Sequence, residues 1–221
     1  MDWDAFALSL RLAGWTSALL LPLAFAIARA LAWRRFALRG FVEALIALPL
    51  VLPPTVLGFY LLMAFSGSSP LGRAFEALFD RTLVFSFEGL LLASVIFNLP
   101  FAVQPLQRAF EGISQNVREA AWCCGLSHWR TFWRIELPLA WPGAVTALAL
   151  TFAHTLGEFG VVLMVGGNIP GETRTAAIAI YDRVQAFDNA AAGAMSAVLL
   201  GLSFLAIGLV FMLGQGRQPR A

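Results

Sequence analysis

Long apolar runs separated by short polar stretches dominate the chain. Five runs of about 20 residues stand out, over residues 12–31, 41–65, 89–106, 144–165 and 190–213. A helix rising 1.5 Å per residue needs about 20 residues to cross ~30 Å of bilayer hydrocarbon. Hydrocarbon offers backbone amides no outside partner, so each run must satisfy its own and is expected to be helical. The pattern predicts an all-α integral membrane protein with five transmembrane helices. Pro22, Pro49, Pro53 and Pro54 interrupt the hydrogen-bond ladder where they fall. The second run is therefore expected to begin with a broken or re-entrant turn, or to carry an ordinary proline kink.

One polar, aromatic stretch breaks the rhythm, "REAAWCCGLSHWRTFWRIELPLAWPG" at residues 118–143. Ser114 is placed to cap a helix running to about Cys124, with Val117, Ala120, Ala121 and Cys124 recurring on one face. Gly125 follows where a left-handed C-cap is wanted. Ser127 is placed to cap a second helix with Trp129, Phe132 and Trp133 on one side, and Pro138 and Pro142 are expected to end it. The segment reads as a helix–turn–helix lying along one membrane face. Ala120 and Ala121 leave room for a close-fitting surface, and Glu119 with the nearby arginines would give that surface polar specificity. The bland alternative is an amphipathic hairpin resting on lipid headgroups.

Further on, Pro170 and Gly171 mark a turn. The stretch 175–184 is expected to form a short interfacial helix with Ala177, Ile180, Tyr181 and Val184 on one side. In the last run Gly193, Ala197 and Gly201 repeat at helical spacing, which permits close helix approach. That approach is either a dimer seam or, as preferred here, packing within the subunit. No internal repeat or low-complexity region is visible, and the pattern reads as a single transmembrane domain over 1–221, with the polar segment near 108–140.

Composition agrees with this picture. Of 221 residues 59% are hydrophobic and 13% charged, with mean hydropathy +0.76; a soluble domain carries about 25% charged residues. The first run lacks a basic lead-in, having Asp2 and Asp4, and so does not read as a typical signal peptide. Basic residues are unevenly placed. Arg29, Arg34, Arg35, Arg39, Arg108, Arg118, Arg130, Arg134, Arg217 and Arg220 fall on one side; Arg11, Arg73, Arg81, Arg174 and Arg183 fall on the other. The richer side is expected to be cytoplasmic, putting the N-terminus outside and the C-terminus inside.

All fifteen basic residues are arginine, so the lysine a P-loop sets on nucleotide phosphates is missing and ATP hydrolysis by this chain is not expected. A net charge of +2 without basic runs gives no sign of nucleic-acid binding. Cys123 and Cys124 are adjacent and alone; they make neither a disulfide framework nor, with His128 or His154, a convincing metal site, and read as small packing residues. Neither HExxH nor GxSxG is present, which argues against a membrane protease. Thr151, His154, Thr155 and Glu158 lie in the fourth run; His154 and Glu158 are four apart, so one helix face is expected to present both. Ionisable groups at such depth read as a pathway or gate, or as a buried pair fixing helix packing.

The polar segment also carries a family resemblance. Its spacing is EAA, three residues, Gly, nine residues, Ile, one residue, Leu-Pro, with Glu119, Ala120, Ala121, Gly125, Ile135, Leu137 and Pro138 at every fixed position. It resembles the EAA loop of bacterial ABC importer permeases. The stretches 48–62 and 156–175, "LPLVLPPTVLGFYLL" and "LGEFGVVLMVGGNIPGETRT", are similar to the permeases for tetrahedral oxyanions. The resemblance implies a multi-pass protein of the bacterial inner membrane that is not itself an enzyme. It implies a loop that couples to an ATPase, a homodimer, two cytoplasmic ABC ATPase subunits holding ATP and magnesium, a periplasmic binding protein, and no cofactor in this chain. Chain length and span number favour molybdate over sulfate, thiosulfate or tungstate; an amino-acid permease is the remoter alternative. No arginine or lysine sits at mid-membrane to hold a dianion tightly, so the anion is expected to pass without being held. Pro54, Thr55, Thr151, His154, Thr155 and Glu158 are the pathway candidates, and Asn168, Pro170, Gly171, Glu172 and Arg174 the candidates for docking a binding protein.

Overall fold

A computed structural model describes residues 1–215, with side chains as far as residue 212; Arg217 and Arg220 lie outside the described residues. The described residues form helices and connecting turns, with no strand among them. Their order is α1 (Trp3–Trp33), α2 (Arg39–Val51), α3 (Pro54–Phe65), α4 (Pro70–Phe79), α5 (Phe87–Glu111), α6 (Gln115–Cys123) and α7 (His128–Thr131). A π-helical stretch (Phe132–Glu136) then leads into α8 (Leu137–Gly157), α9 (Gly160–Gly166), α10 (Ala176–Gln185) and α11 (Asn189–Gln215). Four helical stretches are long and apolar enough to cross a membrane, or five if the bent pair α2–α3 counts as one crossing.

Local chemistry sets the helix starts. Asp2, Ser69 and Ser86 each accept a backbone N–H three residues on, opening α1, α4 and α5. Pro22 is absorbed inside α1 without ending it. The expected break in the second run is present as a 113° bend between α2 and α3. Leu52, ahead of Pro53, is extended at ψ 137°, and Pro54 begins α3 where its missing N–H costs nothing. Between α3 and α5, α4 occupies most of residues 67–81.

α1, α5 and α8 pack through Leu20, Ala24, Ala28, Ala102, Val103, Leu106, Phe110, Ala140, Ala144 and Ala147. The alanines bring backbones close where lipid tails supply no hydrophobic drive of their own. One end of the bundle gathers the C-terminal ends of α1 and α5 with α6 and α7; Trp33 lies 5.2 Å from the Phe110 ring, and Arg39 pairs with Glu111 at 2.9 Å. The opposite end gathers the starts of α1, α5 and α11 with α10, joined by Met195 against Ala5, Phe6 and Ala179. Phe65, closing α3, is buried with Leu83, Val84 and Ala93 towards this second end.

Three sequence expectations are corrected. The fourth run is not one helix to residue 165. α8 stops at Gly157, Glu158 turns extended at ψ 133°, and α9 starts afresh at Gly160. Pro138 and Pro142 do not end the short helix after Ser127; helix runs on from His128 to Gly157. The π-helical stretch explains this: just before Pro138 its widened turn pairs the Leu137 N–H with the Phe132 carbonyl, relaxing the four-residue ladder that a residue with no N–H would otherwise break. Finally, Gly193, Ala197 and Gly201 do not pack within the subunit. All three are exposed, and a methyl group added at Gly193 or Gly201 would meet no atom within 4 Å. α11 instead rests on its neighbours through Met195, Val198, Leu199 and Leu202.

Candidate functional site

The polar segment forms a knuckle at the arginine-rich end. α6 begins after Ser114, which is the N-cap residue but makes no side-chain cap bond. At its other end Gly125 adopts φ +80°. The Gly125 N–H donates to the Trp122 carbonyl at 2.9 Å and the Leu126 N–H to the Ala121 carbonyl at 3.1 Å. This is the Schellman arrangement, which requires a left-handed residue at that point. Ser127 then accepts the Arg130 N–H at 3.4 Å and opens α7. Trp129, Phe132 and Trp133 stack with centroids 5.2–5.9 Å apart, the two tryptophans well exposed.

The fixed positions of the motif do not share one face. Glu119, Ala120 and Pro138 are exposed, Ile135 and Leu137 half-buried, and Ala121 is buried against its own chain. Glu119 accepts a bond from Gln115 Nε2 at 2.6 Å. Val117, Ala120, Cys123 and Cys124 line an uncovered face, so the cysteines are surface groups and not the packing residues the sequence suggested. An amphipathic helix with its small apolar face uncovered leaves that face to another surface.

Beneath the knuckle lies a charged cluster that the sequence reading missed. The Glu136 carboxylate is fully buried. Arg29 Nε donates to its Oε2 at 2.7 Å, and Arg118 Nε to its Oε1 at 3.2 Å. The Arg118 guanidinium also stacks 3.6 Å above the Trp33 ring. A buried carboxylate with two guanidinium partners is satisfied; removing one partner from such a group costs about 3–5 kcal/mol.

The pathway candidates fall into two groups. His154, Thr151 and Thr155 sit on α8 facing α5, where fully buried Asn98 ties them together. Asn98 Nδ2 donates to the Ser94 carbonyl and to Thr155 Oγ1, both at 2.9 Å, and Thr155 Oγ1 donates to the Thr151 carbonyl at 2.7 Å. The Ser94 carbonyl can only accept, which fixes the amide: Asn98 Oδ1 faces His154 Nδ1 at 3.1 Å. His154 therefore carries its proton on Nδ1 and leaves Nε2 free, with its ring 4.1 Å from that of Phe101. Asn98 was also missed. Its signal was a lone Asn in the third apolar run, four residues after Ser94.

Glu158 is the C-cap of α8, one turn after His154, and it is the chain beyond it that leaves the helix. Its Oε1 accepts the Val161 N–H at 2.9 Å and caps α9. Pro54 and Thr55 are exposed at the start of α3, beside the start of α9; a Cβ at Gly160 would come within 2.8 Å of Pro54 Cβ. On the arginine-rich side an open groove of about 570 Å³ runs between α2, α5 and α8, with Gln104, Arg108 and Thr146 among its lining.

At the far end the stretch after α9 is a knitted turn. Gly171 takes φ +79°, and the Ile169 carbonyl accepts the N–H groups of Glu172, Thr173 and Arg174. Arg174 Nε donates to Asn168 Oδ1 at 2.6 Å, and Asn168 Nδ2 to Asp182 at 2.8 Å. Pro170, Gly171 and Glu172 stay exposed at its tip. The expected short helix is present as α10, with Tyr181 and Val184 exposed and Ala177 and Ile180 half-buried.

Residues 20–220 match the family described as binding-protein-dependent transport system inner membrane component. The chain is similar to the molybdenum transport system permease protein ModB of Azotobacter vinelandii, 49% identical over 220 residues, covering 100% of this chain and 96% of that one. It is also similar to a probable sulfate transport system permease protein of Chlorokybus atmophyticus, 36% identical over 175 residues, covering 79% and 61%. Its fold resembles a chain of a bacterial alginate ABC transporter solved with a substrate-loaded periplasmic protein. That likeness has a TM-score of 0.76 at 16% identity, covering 94% of this chain and 76% of the other.

Proposed function

Since the chain belongs to the family of binding-protein-dependent transport inner membrane components, we propose that it is the permease subunit of an ATP-driven oxyanion importer, with molybdate as cargo. The observation that carries this reading is the exposed knuckle: the complete EAA pattern, folded around Gly125 at φ +80°, presented at the arginine-rich end. Full-length identity of 49% to a molybdenum permease favours molybdate over sulfate, for which the similarity is lower and covers less of the chain.

The arginine-rich end faces the cytoplasm of a bacterium whose inner membrane holds the protein. Five crossings are supported by the course of α2 and α3, since Arg39 pairs at the C-terminal end of α5 and Phe65 packs near its N-terminal end. Two copies enclose the path and open it to alternate sides. Pro54 and Thr55 on α3, Glu158 at the α8–α9 break, and Thr151, His154 and Thr155 on α8 line or support it, and the Arg108 groove forms its inner mouth. Two ABC subunits bind ATP and magnesium and dock on α6 around Glu119, Ala120 and Gly125. The loaded binding protein docks on the outer turn at Asn168, Pro170, Gly171, Glu172 and Arg174.

The test is uptake of labelled molybdate into proteoliposomes holding this chain with its ATPase and binding protein. ATP-dependent uptake that excess sulfate does not displace is expected. Uptake abolished by equimolar sulfate transfers the reading to sulfate, and uptake without the ATPase overturns it.

A further inference from the structure

We infer that Glu136 is the joint through which a push on α6 reaches the membrane helices, with Arg118 and Arg29 as its arms. The inference rests on the importer reading and deepens it. Nothing in the motif asks for it, because Glu136 occupies the variable position between Ile135 and Leu137.

Three elements meet at this carboxylate. Arg118 comes from α6, Arg29 from the last turns of α1, and Glu136 closes the π-helical stretch that feeds α8. Glu136 has no exposed side-chain surface, and Arg118 only 14%. Water therefore cannot readily step in to replace a broken bond, and each charge resists separation more than an exposed pair would. Trp33 strengthens the same linkage. Its ring lies under Arg118 at 3.6 Å and within 5.1 Å of the Arg29 guanidinium, so both arms also hold a ring on α1.

This arrangement has a stiff part and a yielding part. Charge-assisted bonds of 2.7 and 3.2 Å tolerate little stretch, so α6 cannot shift without carrying Glu136. Glu136 ends the π-helical stretch, and such widened turns are where a helix most readily changes register. Movement of α6 along its own axis would thus turn the start of α8, and with it the face that carries Thr151, His154 and Thr155. Arg29 would deliver the same movement to α1. Exposed Val117, Ala120 and Cys124 would be the pushed surface, and buried Glu136 the point where the push is divided.

The complex of permease, ATPase and binding protein, reconstituted in proteoliposomes, tests this with Glu136→Gln, Glu136→Asp and Arg118→Gln. The reading is anion moved per ATP hydrolysed. For Glu136→Gln and Arg118→Gln this ratio should fall at least about fivefold, the low end of a typical coupling free energy, and Glu136→Asp should recover part of it. Hydrolysis stimulated by the loaded binding protein should persist. A ratio within about twofold of wild type in both variants, far below such a coupling, overturns the inference, as does a parallel fall in uptake and hydrolysis. Should Glu136→Gln fail to assemble, Arg118→Gln decides alone, since Gln is as good a helix former as Arg and Arg29 still pairs with Glu136. A wild-type complex that moves no oxyanion would overturn the importer reading instead.

Discussion

Gly125 offers a graded test of the knuckle, because its surroundings separate backbone strain from crowding. A Cβ added there would meet no atom within 4 Å, so any substitution acts through φ alone. At φ +80° an L-residue pays about 1–2 kcal/mol, Asn less because it tolerates the left-handed region, and a β-branched residue more. The Schellman bonds from Gly125 and Leu126 depend on that conformation. A penalty of 1–2 kcal/mol lowers the population of the formed turn by about 5–30-fold relative to unfolded alternatives. ATP-driven uptake should therefore fall in the order Gly, Asn, Ala, Val, while each variant still inserts and binds detergent micelles as a folded protein. Uptake by reconstituted complex and thermal unfolding of the purified permease measure the two sides. If Gly125→Val drives uptake at the wild-type rate, the turn has no part in coupling. If Ala and Val are equally impaired while Asn is worse than both, strain at φ is not the cause.

Asn98→Leu should destabilise the permease by about 1–2 kcal/mol, because it leaves His154 Nδ1 without its partner in the site and takes from Thr155 Oγ1 the donor it accepts from. A double-mutant cycle with His154→Leu in thermal unfolding should be non-additive, and strict additivity would refute the Asn98–His154 bond. Arg108→Glu reverses an exposed charge in the inner groove. Against a divalent anion at about 8 Å, screening leaves roughly 1 kcal/mol, or about fivefold slower uptake at low salt and less at high salt. Wild-type uptake at low salt would remove the groove from the path. Cys123 and Cys124 are the chain's two cysteines, and both are exposed. A membrane-impermeant maleimide should label them in inverted vesicles and not in intact cells; labelling of intact cells would reverse the orientation.

What the sequence disclosed was local. Gly125 after a nine-residue helix, Ser127 before the next, and Pro53-Pro54 inside an apolar run each act within a few residues, so their geometry follows from their own chemistry. Glu136 stayed hidden because its partners lie 18 and 107 residues away, and only packing of α1 beside α6 brings them together. The break after Glu158 was missed for a different reason. Residues 144–165 hold no proline and no cluster of turn residues, and Gly157 and Gly160 on either side were the hint that the helix would stop. Pro138 was misread because the rule that proline ends a helix assumes four-residue hydrogen bonding, which the π-helical stretch abandons.

Two of these irregularities are one feature in space. The bend before Pro54 and the break at Glu158 belong to different apolar runs, yet α3 and α9 start side by side, and only a glycine at 160 lets Pro54 lie there. Further along, Gly58 admits the Met164 side chain, which a Cβ would meet at 2.8 Å. A continuous helix through residue 165 would carry Gly160 away from Pro54, and a straight second run would carry Pro54 away from Gly160. The contact between the two thus depends on both breaks. Broken backbone at membrane depth is tolerated where protein or a water-lined cavity covers it, and here the breaks cover each other on one side and leave Pro54 and Thr55 exposed on the other. On the proposed importer reading, that exposed side is where a polar solute would meet backbone freed from a helix ladder, without an arginine or lysine to trap it. On that reading, it is the physical basis for a permease that would conduct a dianion while leaving its capture to another protein.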